Sequence, residues 1–203
     1  HEAKYIPYFQ AHTNTYAPTG TLRELFEKAL SFENTVGLSI ATRADCISDE
    51  TLEYLCELKE RTYLVIELGL QTIYDKTGER INRCHTYADF LRCYERLADA
   101  GINVCVHLID GLPGENREMM LESAKKVGRL MPHSVKLHLL HIIRGTRMEK
   151  EYNEGKIRPL TLEEYVDIIT NQLRYIPKET IIQRITGDGG RDTLAAPLGS
   201  LKK

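Results

Sequence analysis

Neither sign of charge dominates this sequence: 27 Lys and Arg stand against 29 Asp and Glu in 203 residues, a formal net charge of −2. That balance supplies no long-range field to recruit nucleic acid or an anionic membrane surface. Apolar runs are short, none reaching the ~20 residues that a bilayer-spanning helix requires. No basic, apolar, small-residue leader opens the sequence, so the expected compartment is the cytoplasm. Cysteine is sparse and odd in number, with Cys46, Cys56, Cys84, Cys93 and Cys105 forming no C-x2-C pair. Neither a disulfide framework nor a zinc ribbon is suggested by that set. Cys56, Cys93 and Cys105 fall in apolar patterns, where a free thiol behaves as a small hydrophobe; Cys46 and Cys84 fall in polar loops.

What is present is a chain with 42% apolar residues and no linker, enough for one sizeable core and read as one domain over residues 1–203. Apolar runs of strand length, near 5–11, 36–41, 63–70, 102–109, 134–141 and 180–185, alternate with amphipathic segments near 21–32, 48–60, 86–100, 115–130 and 161–175. That alternation is the pattern of repeated βα units on a parallel sheet. Thr19 or Thr21, Ser48, Thr86 and Thr161 each stand before acids in positions to cap a helix. Gly101 suits a left-handed helix end. One-handed crossovers allow an open doubly wound sheet or an incomplete barrel, and the even spacing favours the barrel.

Polar residues recur at the predicted C-terminal ends of these strands: Gln10, His12 and Asn14, then Thr42 and Arg43, then Gln71, then His107 and Asp110, then His138 and His141, then Arg184. In a parallel barrel that mouth carries the active site, although loops are polar in any case. The run Tyr63 to Leu70 stops near a glycine and delivers the Gln71 amide to the rim. The sequence opens at His1 without Met and runs directly into an apolar strand, as an ordered part of a longer protein would.

Five segments, in this order, carry a resemblance: Tyr8 to Pro18, Gly37 to Cys46, Glu67-Leu68-Gly69-Leu70-Gln71-Thr72, Ile81-Asn82-Arg83-Cys84-His85-Thr86 and Gly111-Leu112-Pro113-Gly114-Glu115. Together they resemble radical S-adenosylmethionine proteins, within them an uncharacterised group related to the Elongator catalytic subunit and to oxygen-independent coproporphyrinogen oxidases. The likeness implies an α/β fold, a partial (β/α) TIM-like barrel, of which the first strand here corresponds to the second. The first βα unit is then expected to be missing, the chain holding strands 2 to 7 and being truncated at both ends.

The resemblance also implies S-adenosylmethionine and a [4Fe-4S] cluster on a C-x3-C-x2-C loop, thiolates being the soft ligands that iron and sulfide require. None of the five cysteines has that spacing, so the cluster ligands are expected upstream of His1. The intact protein would cleave the cofactor reductively to a 5′-deoxyadenosyl radical and abstract hydrogen from a substrate; this chain alone would be inactive. A reductant such as flavodoxin or ferredoxin is implied, with tRNA or a small molecule as substrate and no membrane partner.

Residue by residue, the likeness places Gln71 on the cofactor ribose, since an amide both donates and accepts, as a diol demands. It places Arg83 on the methionine carboxylate, where a planar fork binds bidentately. His107 would be a second ribose group, although a core histidine is the competing reading. The competing readings for the other two are an amide satisfying a neighbouring loop and a solvated surface arginine. Ala41 stands where relatives often have a glutamate, leaving Thr42 or Arg43 to cover that contact. Asp110, His141, Arg144 and Arg184 are substrate-side candidates, and no catalytic acid or base is implied. Two other classes stay open: a metal-dependent hydrolase using His12, His107, His138 and His141, and a non-catalytic nucleotide-binding barrel.

Overall fold

A computed structural model describes residues 3–10, 12–187, 190 and 192–201. In chain order the elements are β1 Tyr8–Phe9, α1 Thr19–Leu30, β2 Gly37–Thr42, α2 Asp49–Arg61, β3 Tyr63–Gln71, α3 Asp75–Arg80, α4 Tyr87–Asp99, β4 Asn103–Asp110, α5 Arg117–Arg129, β5 Ser134–Leu139, β6 Ile142–Ile143, α6 Arg147–Asn153, α7 Leu162–Gln172, β7 Ile181–Arg184 and β8 Leu194–Ala196. Six strands form one parallel sheet in the order β1-β2-β3-β4-β5-β7, while β6 pairs antiparallel with β8. A helix separates each strand of the large sheet from the next, as parallel neighbours require. This is the α/β, partial TIM-like arrangement that the alternation predicts.

Helix starts follow their capping chemistry. The Ser48 hydroxyl accepts from Thr51 N at 3.1 Å, and Thr86 with Asp89 and Thr161 with Glu164 form reciprocal capping boxes. Gly101 follows α4 with φ +68°. The start of α1 departs from expectation: Pro18 precedes it without a side-chain cap, and Thr19 is already helical. The Thr19 hydroxyl instead meets that of Thr51 at 3.2 Å, a tertiary contact that competes with capping.

The first strand is shorter than the expected 5–11. Pro7 has no N–H to give to a ladder, and only Tyr8–Phe9 and a bridge from Tyr5 to Thr35 pair; Ala11 lies outside the described residues. Four elements lie outside the expected spans. Helix α3 spans six residues and contains Gly78, α6 spans seven with only Met148 and Tyr152 partly buried against the Ile142 cluster, and β6 and β8 have two and three residues.

The chain divides into two compact units, His1–Leu70 with Cys84–Val106 and Pro132–Ser134, and Gln71–Arg83 with His107–Met131 and Val135–Lys203. In the first, Leu38 and Ile40 of β2, Leu64 and Ile66 of β3 and the helix residues Phe26, Tyr54, Leu58, Phe90 and Leu97 are buried. Phe26 stacks on Tyr54 with ring centroids 6.4 Å apart. In the second, Leu108, Met120, Ala124, Val127, Val135, Leu137 and Ile168 are buried, and Ile142, Ile157 and Ala196 form a further small cluster. Gly128 of α5 permits a close backbone approach there, since a Cβ at that position would stand 2.0 Å from the Tyr175 carbonyl oxygen.

Candidate functional site

The second unit holds most of the expected site residues. Gln71 closes β3 with φ +67°, a left-handed conformation uncommon for a residue with a side chain. Its neighbour Thr72 is buried and gripped through two atoms. The Thr72 hydroxyl donates to Glu115 Oε1 at 2.5 Å and accepts from Tyr74 N at 3.1 Å; the Thr72 carbonyl accepts from Arg83 Nη1 at 2.5 Å. The second Arg83 terminal nitrogen donates to Asp75 Oδ1 at 2.8 Å. The Arg83 side chain is 2% exposed, which replaces the reading of a solvated surface arginine. Glu115, which also hydrogen-bonds Thr77, is held above the usual carboxylate range by burial.

Strand β4 brings up His107, half-buried, and Asp110, 1% exposed. The rings of His107 and His138 lie 5.3 Å apart at 49°. His138 and His141 flank Gly187, where a Cβ would stand 3.7 Å from each ring. The Asp110 Oδ1 accepts from Gln172 Nε2 at 2.7 Å. Desolvation by burial pushes the Asp110 carboxyl up to about 7, the Gln172 bond opposing and the Glu115 charge adding to the shift. Gly111 and Gly114 follow with φ +86° and +91°, so the Gly111-Leu112-Pro113-Gly114 turn uses glycine for its backbone conformation. Arg144 is exposed and its Nε donates to the Leu194 carbonyl at 3.2 Å, while Arg184 is exposed on β7.

Thr42 and Arg43 belong to the first unit. Thr42 is buried, its hydroxyl 2.5 Å from that of Thr15, and Arg43 Nε donates to Asp45 Oδ1 at 2.9 Å. Asn14 fastens the end of β2, donating from N and Nδ2 to the Ala41 carbonyl at 3.1 and 3.0 Å. His12 stands apart by its backbone, with φ +63°.

Sequence reasoning missed Glu67. This buried acid sits in register with Ala41 and accepts from Tyr8 Oη at 2.8 Å and Ser39 Oγ at 2.5 Å. Its signal was an acid inside the apolar run Leu64 to Leu70. Gln172, the partner of Asp110 from 62 residues away, carried none.

A parallel sheet whose strands alternate with helices, with Gln71 closing β3 and Asp110 closing β4, defines an α/β protein of repeated βα units. The chain belongs to the radical S-adenosylmethionine superfamily: residues 3–127 match the Radical SAM superfamily, and residues 132–203 match the Radical_SAM C-terminal domain. It is 48% identical over its whole length to the uncharacterized protein YtqA of Bacillus subtilis, and 42% identical over 96% of its length to protein YhcC of Escherichia coli. It spans 63% of the length of each of those relatives. A tRNA uridine(34) acetyltransferase of Methanocaldococcus jannaschii is 31% identical over 75% of the chain and 28% of that protein. Among solved structures, Methanocaldococcus infernus Elp3 covers 86% of the chain and 41% of its own length at TM-score 0.73 and 27% identity. Coproporphyrinogen III oxidase of Escherichia coli has the same fold at TM-score 0.60 over 80% of the chain and 38% of its own length, with 18% identity.

Membership of this superfamily replaces the expectation of a histidine-based hydrolase. The superfamily uses S-adenosylmethionine and a [4Fe-4S] cluster. The cysteines of this chain do not fit the cluster, because Cys93 and Cys105 are buried in α4 and β4 and no set has C-x3-C-x2-C spacing. For S-adenosylmethionine the donor chemistry fits at Gln71, whose amide is suited to a diol. Among the described residues, no helix is long and apolar enough to cross a membrane.

Proposed function

We propose that the intact protein cleaves S-adenosylmethionine reductively to methionine and a 5′-deoxyadenosyl radical, which abstracts hydrogen from a substrate and becomes 5′-deoxyadenosine, with residues 1–203 acting as one radical core. In this reading Gln71 and His107 bind the ribose hydroxyls. The likeness assigns Arg83 to the methionine carboxylate and leaves Thr42 or Arg43 to cover the contact that Ala41 cannot make, while Asp110, His141, Arg144 and Arg184 serve the substrate. The cluster is held by residues outside this chain, a flavodoxin or ferredoxin supplies the electron, and this chain alone is inactive. The protein works in the cytoplasm.

The observation that carries the reading is Gln71, an amide at the end of a parallel strand in a backbone conformation that its neighbours must hold in place. The substrate is a tRNA or a small molecule. Relatives named as tRNA uridine(34) acetyltransferases support the first, whereas the near balance of 27 basic and 29 acidic residues supports the second. Isothermal titration of S-adenosylmethionine into the anaerobic full-length protein tests the site. Gln71→Ala should weaken binding about tenfold, the loss of roughly 1.5 kcal/mol expected for a hydrogen-bonded contact. Unchanged affinity would remove Gln71 from the site.

A further inference from the structure

The segment after β3 is a closed loop fastened at both ends by unusual backbone. Gln71 has φ +67° and Asn82 has φ +56°, and just beyond Asn82 the Arg83 N donates back to the Gly78 carbonyl at 2.9 Å. Left-handed conformations at residues with side chains persist where surrounding contacts over-determine them. Here the over-determination converges on Thr72, one residue beyond Gln71. Its carbonyl is taken by Arg83 Nη1 and its hydroxyl by Glu115, at 2.5 Å each. Arg83 reaches Asp75 as well, and Glu115 reaches Thr77, so both charged groups bind the start and the middle of the same loop. The loop is built around the guanidinium: a Cβ on Gly78 would stand 2.8 Å from Arg83 Cζ and Nη2 and 2.9 Å from Nε.

We propose that Arg83 and Glu115 are positioning residues that, by gripping Thr72 through its carbonyl and its hydroxyl, hold Gln71 in the conformation that presents its amide to S-adenosylmethionine. This rests on the reading of Gln71 as a cofactor ligand. Arg83 then acts through the loop and not by touching the cofactor, which changes the part first assigned to it.

Two measurements on the full-length protein separate the possibilities: backbone hydrogen exchange over 72–83 without cofactor, and S-adenosylmethionine affinity by titration calorimetry. Arg83→Gln should accelerate exchange over 72–83 and raise Kd about tenfold, the scale of one lost charged hydrogen bond. Gly78→Ala keeps every charge but pushes the guanidinium aside, and should do both as well. Arg83→Lys should give an intermediate result, since an ammonium lacks the planar fork that spans Thr72 and Asp75. Gln71→Ala should raise Kd while leaving exchange at its wild-type rate.

Weakened binding in Arg83→Gln with unchanged exchange would overturn the proposal and make Arg83 a direct ligand. Unchanged exchange in Gly78→Ala would overturn it independently, and covers the case in which Arg83→Gln fails to fold. If Gln71→Ala binds as wild type, the assignment of Gln71 fails, and the loop then has no part in cofactor binding whatever its exchange.

Discussion

Replacing Asp110 by Asn should flatten the dependence of stability on pH. The Asp110 carboxyl is 1% exposed, accepts one hydrogen bond from Gln172 and has no hydrogen-bond partner at Oδ2. Burial raises it from 3.8 to about 7. A group raised on folding adds stability that is complete below its unfolded value and lost as pH rises through its folded value. The window here runs from about pH 4 to pH 7, and three units at 1.36 kcal/mol each give about 4 kcal/mol across it. Between pH 5 and pH 8 the same linkage gives a loss of roughly 2–3 kcal/mol.

Asn keeps an oxygen for the Gln172 amide and carries no charge, so Asp110→Asn should lack that loss. Two other titratable groups face Asp110. Glu115 is itself raised by burial, so it leaves the variant with a smaller slope of the same sign. The Tyr165 hydroxyl is raised by burial and by the Asp110 charge, and it stays protonated throughout the range. Urea unfolding of wild type and Asp110→Asn at pH 5 and pH 8 reads the difference. If both proteins lose stability equally between the two pH values, the account of Asp110 is refuted.

Gly128→Ala should be strongly destabilising, because its Cβ would stand 2.0 Å from the Tyr175 carbonyl oxygen and backbone must shift; overpacking of this kind costs about 1–3 kcal/mol or more, and a thermal midpoint equal to wild type would contradict the packing of α5 described above. Thiol labelling at pH 8 followed by mass spectrometry should modify exposed Cys84 first and spare Cys93 and Cys105 until the protein unfolds. Burial pushes the Cys93 thiol up to about 12, leaving almost no thiolate to react. Equal labelling rates for Cys84 and Cys93 in the folded protein would be the contrary result.

Elements with a strong local pattern were legible in the sequence. The run Tyr63 to Leu70 announced β3 to within one residue, and Ser48, Thr86 and Thr161 announced three helix starts through oxygen atoms that reach only three residues ahead. Where tertiary contacts decide, the reading stopped. The Thr19 hydroxyl pairs with that of Thr51 and leaves capping, and α6 is too short, with Met148 and Tyr152 only partly buried, to set a clear period. At the candidate site, residue types and spacing put Gln71 and Asp110 at strand ends, where β3 and β4 end, but did not show their surroundings. The burial of Arg83 against Thr72 and Asp75 had no such signal, because one of these partners is a backbone carbonyl, which has no residue identity to read. Glu67, by contrast, stood in plain view as an acid within an apolar strand, and the hydroxyls of Tyr8 and Ser39 that satisfy it come from strands far away in sequence.

The most direct test of the central claim is the fate of S-adenosylmethionine in the full-length protein, purified without oxygen, reconstituted with iron and sulfide and reduced with dithionite. The account predicts 5′-deoxyadenosine and methionine in equal amounts, with the yield cut in Gln71→Ala at limiting cofactor. A well-formed cluster that leaves S-adenosylmethionine intact would contradict it.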